Sequence, residues 1–309
     1  MRFPTAAGLT ALAAVLALAV APATATTASP APRPSATPTA YDGTAYHLYV
    51  PNRPAIAPGA RPPAATMLYF GGPVIAQVKV AVVLWGTTVA KTTTSRIAPF
   101  FSAISNSTFV DQLGQYSTVG ITGVNGDPGT NQTIVRGTLE GQYVIRPRDT
   151  ATTLTDRDVQ RELQRQITAG RLPKADLNTL YMIYFPSNIT ITLGKSQSCV
   201  AFGAYHEAVS STVTPSNIFY GVMPDCGGGF SSITVASSHE FAEAITDAIP
   251  TPGSHPAYPQ AWNTSDGYEI ADLCEGHYTT LTAAGEVYSI QEVFTNSTNA
   301  CATGKFTSP

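Results

Sequence analysis

Runs of apolar and β-branched residues divide the first half of the folded chain into predicted strands and helices. Two such runs, 67–70 and 78–86, flank a Gly-Gly-Pro sequence, which predicts two strands joined by a turn. Between 95 and 113 the apolar residues recur at helical spacing, so we expect one or two helices there. Glycine, asparagine, aspartate and threonine dominate 118–133, which predicts loops and short strands.

The clearest predicted helix spans 156–168. Thr155, followed three places on by Asp158, resembles a capping box, and Gly170 is placed to end the helix. Its apolar positions recur on one face, at Val159, Leu163 and Ile167. We therefore expect a surface helix with its arginine and glutamine face in solvent.

The second half of the chain continues with buried strands and one more helix. An unbroken apolar run at 180–185 predicts a strand buried on both faces. Further predicted strands are 199–205, 218–223, 287–290 and 293–294, and 251–267 is predicted to be a long loop. A helix predicted over 234–247 packs against the sheet. The predicted fold class is α+β, a mixed β-sheet with this helix packed against it.

The N-terminal 65 residues differ in composition from the rest. Arg2 precedes an apolar run that ends in the small residues Ala21-Pro22-Ala23-Thr24-Ala25, which indicates a signal peptide over 1–25. Residues 26–65 are rich in proline, alanine and threonine and are predicted to be a disordered linker or pro-segment. We expect 66–309 to form a single α+β domain, monomeric, secreted and extracellular, with no membrane association in the mature form.

Charge excludes one class of partner. The 309-residue chain has a formal net charge of −3, and only 12% of its residues are charged. Nothing in it is basic enough to form a phosphate-binding surface, so nucleic acid is not an expected partner.

Four cysteines remain in a chain predicted to be exported, and an even count in that compartment indicates disulfides. Three pairings are possible in principle. We prefer Cys199 with Cys226 and Cys274 with Cys301, which close two loops of equal length. A zinc site made of cysteines alone is a competing interpretation, but no pair shows the short spacing that such sites use.

Ionisable residues crowd into 239–275, although the chain as a whole carries few charges. Burying several carboxylates together is costly unless protons or a cation compensate. The cluster contains His239, Glu240, Glu243, Asp247, His255, Asp266, Glu269, Asp272 and Glu275.

The segment His239-Glu240-Phe241-Ala242-Glu243 matches the zinc-binding H-E-x-x-H pattern with glutamate in the last position. On a helix, residues four apart share one face, so His239 and Glu243 are predicted metal ligands. Glu240 is the predicted general base that takes a proton from metal-activated water. Zn²⁺ is the expected ion; the extra carboxylate also makes Ca²⁺ or Mg²⁺ possible. A simple ion pair between His239 and Glu243 on a helix face is the structural alternative.

Other residues have open roles around this pair. Glu269 and Asp272 are candidates for the remaining metal ligands, for partners that orient His239, or for helix caps. Tyr205 and His206 end a predicted strand and are candidate substrate-binding residues; His206 could also contribute to the metal site or be structural. Asp247 is expected to fix the helix end or a loop.

Several motifs together resemble one protein family. They are Cys199 to His206 (CVAFGAYH), Tyr220 to Cys226 (YGVMPDC), SHEFAEAITD and EIADLC, with a weaker likeness in LYFGGPVIAQVKVAVVLWG. In these the chain resembles a bacterial relative of the plant EXORDIUM, or phosphate-induced protein 1, family over most of residues 67–275. The resemblance implies a secreted, cell-wall-associated protein, and the H-E-x-x-E segment is similar to that of zincin-like metallopeptidases, which implies a zincin-like plan.

Two functional hypotheses follow. The first is a secreted metal-dependent hydrolase, a zinc metallopeptidase acting on peptide bonds. The alternative is a non-catalytic extracellular or cell-wall-associated protein of the EXORDIUM-like family that keeps the fold and a structural cation. The expected partner is accordingly a peptide or a cell-wall polymer.

Overall fold

The computed structural model describes residues 66–210, 216–251, 256–302 and 304–309. The predicted signal peptide (1–25) and the whole of the predicted linker (26–65) lie outside these residues. The described helices are α1 Lys91–Ser105, α2 Thr108–Leu113, α3 Asp156–Thr168 and α4 Gly229–Thr246, with short 3-10 turns at Gly114–Tyr116 and Asp272–Cys274. The strands are β1 Leu68–Tyr69, β2 Gln77–Trp85, β3 Val135–Ile145, β4 Thr153–Thr155, β5 Thr179–Tyr184, β6 Thr190–Leu193, β7 Ser196–Gln197, β8 Tyr205–Val209, β9 Ile218–Met223, β10 Trp262–Asn263, β11 Tyr278–Ala283, β12 Glu286–Gln291, β13 Phe294–Thr295, β14 Ala300–Cys301 and β15 Lys305–Thr307.

A five-stranded sheet of order β3-β2-β5-β9-β8 forms the centre of the domain. Its first four strands are parallel, and β8 runs antiparallel to β9 at one edge. Parallel neighbours need long crossovers, and these contain α1 and α2 between β2 and β3, and α3 between β3 and β5. The mixed sheet and the α+β class are as predicted.

Side-chain alternation along β2 shows that helices cover both faces of this sheet. Val80 and Val82 belong to the core that contains residues of α1 and α4. Ala81 and Val83 belong to a second core, which contains the apolar stripe of α3. Since successive strand residues point to opposite faces, the sheet is the middle layer of three.

Helix α4 is buried along most of its length. From Ile233 to Thr246 every residue is buried, and the helix packs on β12, β9 and β8. It begins at Gly229, five residues before the predicted start, with Gly228 at the N-cap position. Asp247 is its C-cap residue. A helix buried on all sides brings every polar side chain it carries into the interior.

The C-terminal part of the domain covers α4 with a small sheet of order β12-β11-β15. Strands β11 and β12 form a hairpin whose turn contains Ala284 and Gly285, with φ of 48° and 82°. Two consecutive positive φ angles are those of the tight turn that favours glycine. The hairpin places the end of β12 against α4.

Several predicted boundaries hold and others fail. Helix α3 matches 156–168, and its capping box between Thr155 and Asp158 is present. The strand predicted over 199–205 is wrong: Cys199 has a φ of 63° and belongs to a turn, and β8 begins only at Tyr205.

Two long strands were not anticipated. In β3, buried positions are scarce and exposed or half-buried ones dominate, as at the edge of a sheet. Its sequence, VRGTLEGQYVI, carries charged residues and glycines that weaken the strand signal. Strand β11 is threonine-rich and largely half-buried.

Both predicted disulfides are present, Cys199 with Cys226 and Cys274 with Cys301. The first links the turn before β8 to the segment after β9. The second links the 3-10 turn Asp272–Cys274 to β14. Disulfides of this kind are typical of proteins that fold in oxidising compartments. Separately, none of the helices in the described ranges has the length and apolarity needed to cross a membrane.

Candidate metal centre

Two turns of α4 carry the H-E-x-x-E residues, and all three side chains are fully buried. His239 Nε2 lies 3.1 Å from Glu243 Oε2, so the two predicted ligands do share one helix face. Glu240 lies one residue on from His239 and is equally buried. The helix therefore presents an imidazole and two carboxylates to the interior within five residues.

The loop at 269–272 returns to this helix, as the sequence spacing suggested. The backbone N–H of Asp272 donates a hydrogen bond of 3.0 Å to Glu243 Oε1. The Asp272 carboxylate places Oδ1 3.8 Å from His239 Nε2, and its Oδ2 accepts a 3.0 Å hydrogen bond from Glu269 N–H. These contacts bring Glu269 and Asp272 into the same cluster as the helix residues.

His206, on the edge strand β8, lies inside the cluster. Its Nδ1 is 3.2 Å from Glu240 Oε2 and 3.8 Å from Glu243 Oε2. Its Nε2 is 3.5 Å from Glu269 Oε1 and 3.2 Å from the Asp247 backbone oxygen. Of the roles left open by the sequence, this position favours a contribution to a metal site.

Gln291, at the end of β12, is a site residue that the sequence did not reveal. Its Nε2 donates a 2.7 Å hydrogen bond to the Ala271 carbonyl, so its Oε1 is left as the acceptor facing His239 Nδ1 at 3.1 Å. His239 Nδ1 therefore carries the proton, and Nε2 faces the carboxylates. In metal sites, a ligating histidine usually donates its other ring N–H to an acceptor, and that hydrogen bond fixes its tautomer. The sequence signal was a glutamine directly after the predicted strand 287–290.

Tyr205 lies on the other face of the sheet, as strand alternation requires. Its hydroxyl donates a 2.7 Å hydrogen bond to Asp156 Oδ1, and the Tyr220 hydroxyl donates to the same oxygen at 2.8 Å. Gln160 Nε2 donates to Asp156 Oδ2 at 2.7 Å. This position gives Tyr205 a role in attaching α3 to the sheet and does not support a substrate-binding role.

Two further acidic residues of the segment, Asp247 and Asp266, have other surroundings. Asp247 holds the loop after α4, accepting hydrogen bonds from Ala261 N–H at 2.8 Å and from Asn263 Nδ2 at 2.5 Å. Asp266 is exposed. His255 lies outside the described residues. Asp247 thus has the loop-fixing role expected of it.

Burial and crowding shift the pKa values of the cluster. Burial alone lowers the pKa of His239, but the charges of Glu243, Glu240 and Asp272 outweigh it and raise this pKa to about 10. Burial raises the pKa of Glu269 well above its ordinary value, and Glu243 and the other carboxylates nearby raise it further. Protons or cations must therefore neutralise the cluster in the folded protein.

The donor atoms fit a divalent ion. Two groups of three residues place one ligand atom each within 4.8 Å of the others: His239, Glu243 and Asp272, and His206, Glu243 and Glu269. Within the described residues, both oxygens of the Glu269 carboxylate are buried and accept no hydrogen bond. Imidazole nitrogen together with carboxylate oxygen is a donor set that suits zinc.

A cavity of about 400 Å³ adjoins the elements that carry this cluster. Its walls include Ala236, three residues before His239 on α4, and Ser289, two residues before Gln291 on β12. Residues at these spacings share a helix or strand face, so the cavity borders the same faces that bear the cluster.

Comparison of the chain with protein-family models, with curated proteins and with solved structures finds no match.

Proposed function

We propose that this chain is a secreted metal-dependent hydrolase, a zinc peptidase of zincin-like plan. One observation carries the proposal: a buried turn of α4 brings His239, Glu240 and Glu243 together, and Asp272 completes a three-residue ligand group with His239 and Glu243. The H-E-x-x-E helix packed beneath a mixed sheet supports the zincin-like assignment. The two disulfides support secretion.

In this function His239 Nε2, Glu243 and Asp272 would hold Zn²⁺. When bound, zinc acts as a Lewis acid that lowers the pKa of a coordinated water to about 7. Glu240 is the residue that takes the proton, at a carboxylate oxygen, and later returns it to the leaving amine. His206 Nδ1 lies beside this carboxylate, 3.2 Å from Glu240 Oε2. A peptide would approach through the cavity beside Ala236 and Ser289.

One observation favours a second candidate function. His239, Glu240, Glu243 and Glu269 have no solvent-exposed surface, so no substrate touches them in this conformation. A cation held there would be structural, tying β8, α4 and the 269–272 loop together. The protein would then be a non-catalytic extracellular protein that binds cell-wall polymers.

Elemental analysis and turnover separate the two. The mature wild-type protein, His239→Ala and Glu240→Gln are dialysed, analysed for zinc, and incubated with a mixed peptide library read by mass spectrometry. A hydrolase loses zinc and cleavage in His239→Ala and loses cleavage alone in Glu240→Gln. Bound zinc without cleavage by any variant, and with binding to isolated cell-wall polymer, supports the structural alternative. Absence of zinc from wild type overturns both metal-based functions.

A further inference from the structure

The two candidate ligand groups have one residue in common, Glu243, and their other members differ. Asp272 belongs with His239 on one side, and Glu269 belongs with His206 on the other. An ion about 2.0–2.2 Å from each ligand requires all its ligand atoms to lie within about 4.4 Å of one another. Both sides meet at one atom, because Glu243 Oε2 is 3.1 Å from His239 Nε2 and 3.8 Å from His206 Nδ1.

Glu269 is the residue that a single zinc at His239 leaves unexplained. Its side chain is fully buried, and neither carboxylate oxygen accepts a hydrogen bond within the described ranges. A buried carboxylate without hydrogen bonds is costly, and a cation is the partner that removes the cost. Glu269, His206 and Glu243 each place one ligand atom within 4.8 Å of the others, so a cation at Glu269 would have both other residues beside it.

The negative charge of the buried carboxylates also favours a second cation. Glu240, Glu243, Glu269 and Asp272 bring four carboxylates into one buried volume. With neutral histidines and these four carboxylates ionised, one divalent ion leaves at least two negative charges uncompensated, and Asp247 is a further fully buried carboxylate nearby. Excess buried charge is strongly unfavourable, so a second ion would compensate carboxylates that otherwise have to be protonated.

We infer that the cluster holds two divalent cations bridged by Glu243. His239 and Asp272 complete the first site, and a ring nitrogen of His206 with Glu269 completes the second. This inference rests on the proposed metal-dependent function and adds a second ion to it. Two-ion centres have separations of roughly 3.5–4 Å, which one bridging carboxylate spans. Glu269 and His206 are thereby metal ligands, and His206 is not a substrate contact.

Zinc stoichiometry tests the second site. Metal-free protein is titrated with ZnCl₂, freed of excess by gel filtration, and analysed for zinc per chain in wild type, Glu269→Gln and His239→Ala. Glu207→Gln is the matched control, since Glu207 is a buried glutamate beside His206 that points to the opposite sheet face. We expect two zinc ions in wild type and the control, and one in Glu269→Gln. Loss of both ions from His239→Ala also fits, because the ions share Glu243.

A second measurement uses the wild-type protein alone, so its result does not depend on whether the variants fold. Co²⁺ replaces Zn²⁺, and the electron paramagnetic resonance signal per cobalt is followed during titration. Two ions bridged by Glu243 couple, so the signal per cobalt falls as the second equivalent binds. One zinc per chain with an uncoupled cobalt signal overturns the two-ion centre and leaves the proposed function standing. No bound zinc or cobalt overturns both.

Discussion

His239 Nε2 and Glu243 Oε2 lie 3.1 Å apart, one turn from each other on a helix that is buried on all sides. On a surface helix such a pair would contribute only a few tenths of a kcal/mol. Here the pair is buried together with two more carboxylates. Asp272 Oδ1 lies 3.8 Å from His239 Nε2, and Glu240 directly follows His239 in the chain. Because the pair is buried, its charges and those of the neighbouring carboxylates need compensation by protons or a cation.

Removing the metal should destabilise the domain. A ligand that binds only the folded state, at a free concentration 100 times its Kd, stabilises the fold by about 2.7 kcal/mol. In a domain of this size that stabilisation corresponds to roughly 5–10 °C in Tm. We expect a fall of that order when the mature protein is treated with dipicolinate and calorimetry is run beside an untreated sample, with recovery on adding ZnCl₂. An unchanged Tm would show that protons, not metal, neutralise the cluster.

Gln291→Leu should weaken metal binding without removing a ligand. The substitution keeps the side-chain size but removes the acceptor that holds His239 Nδ1 at 3.1 Å. Loss of such a supporting contact costs 10- to 100-fold in metal affinity as an order of magnitude. Competition with a chromophoric zinc chelator measures it. Gln166→Leu is the control, because Gln166 is a buried glutamine of α3, which packs on the other face of the sheet.

Ala236→Leu should block substrate and spare the metal. Ala236 lines the cavity of about 400 Å³, one turn before His239. The larger side chain fills part of that space, so we expect kcat/KM on a cleaved peptide to fall at least tenfold while zinc content and Tm stay near wild type. Ala169→Leu, an exposed alanine at the end of α3, should change neither. Full activity in Ala236→Leu would place the substrate route elsewhere.

The parts of the fold that could be predicted from the sequence are those specified by neighbouring residues. Helix α3 was predicted to the residue because Thr155 and Asp158 cap it and its stripe recurs within three turns. Strands β5 and β9 were found because they are buried on both faces and therefore read as unbroken apolar runs. Strand β3 was missed because an edge strand exposes much of its length and carries charges and glycines there.

In the candidate site, too, contacts between residues close in sequence could be predicted, whereas contacts between distant residues could not. His239 and Glu243 are four residues apart, so helical geometry alone pairs them. Gln291 lies 52 positions from His239, and His206 lies 34 positions from Glu240. Those contacts depend on β8 and β12 both packing against α4, and no local sequence pattern predicts that packing.

The two disulfides offer a matched comparison, because both close loops with a sequence separation of 27. Removing either should cost roughly 3–4 kcal/mol through the greater entropy of the unfolded chain. Cys274 lies two residues after Asp272, so we expect Cys274→Ser with Cys301→Ser to lower zinc affinity as well. Cys199→Ser with Cys226→Ser should show a similar fall in Tm with a smaller loss of zinc. Equal zinc losses in both variants would mean that Asp272 does not depend on its disulfide.

The cap of α3 predicts a pH dependence remote from the metal. The Thr155 hydroxyl and then its backbone N–H hydrogen-bond the Asp158 carboxylate and lower its pKa below the ordinary 3.8. A group with a lowered pKa in the folded state stabilises the fold above its unfolded pKa, and this contribution disappears as pH falls through the folded pKa. Asp158→Asn should therefore cost about 1 kcal/mol at pH 6 and much less at pH 3, measured by urea unfolding at both values. Thr155→Ala should cost a similar amount at pH 6. An Asp158→Asn penalty that is the same at both pH values would show that the charge of Asp158 contributes nothing to the cap.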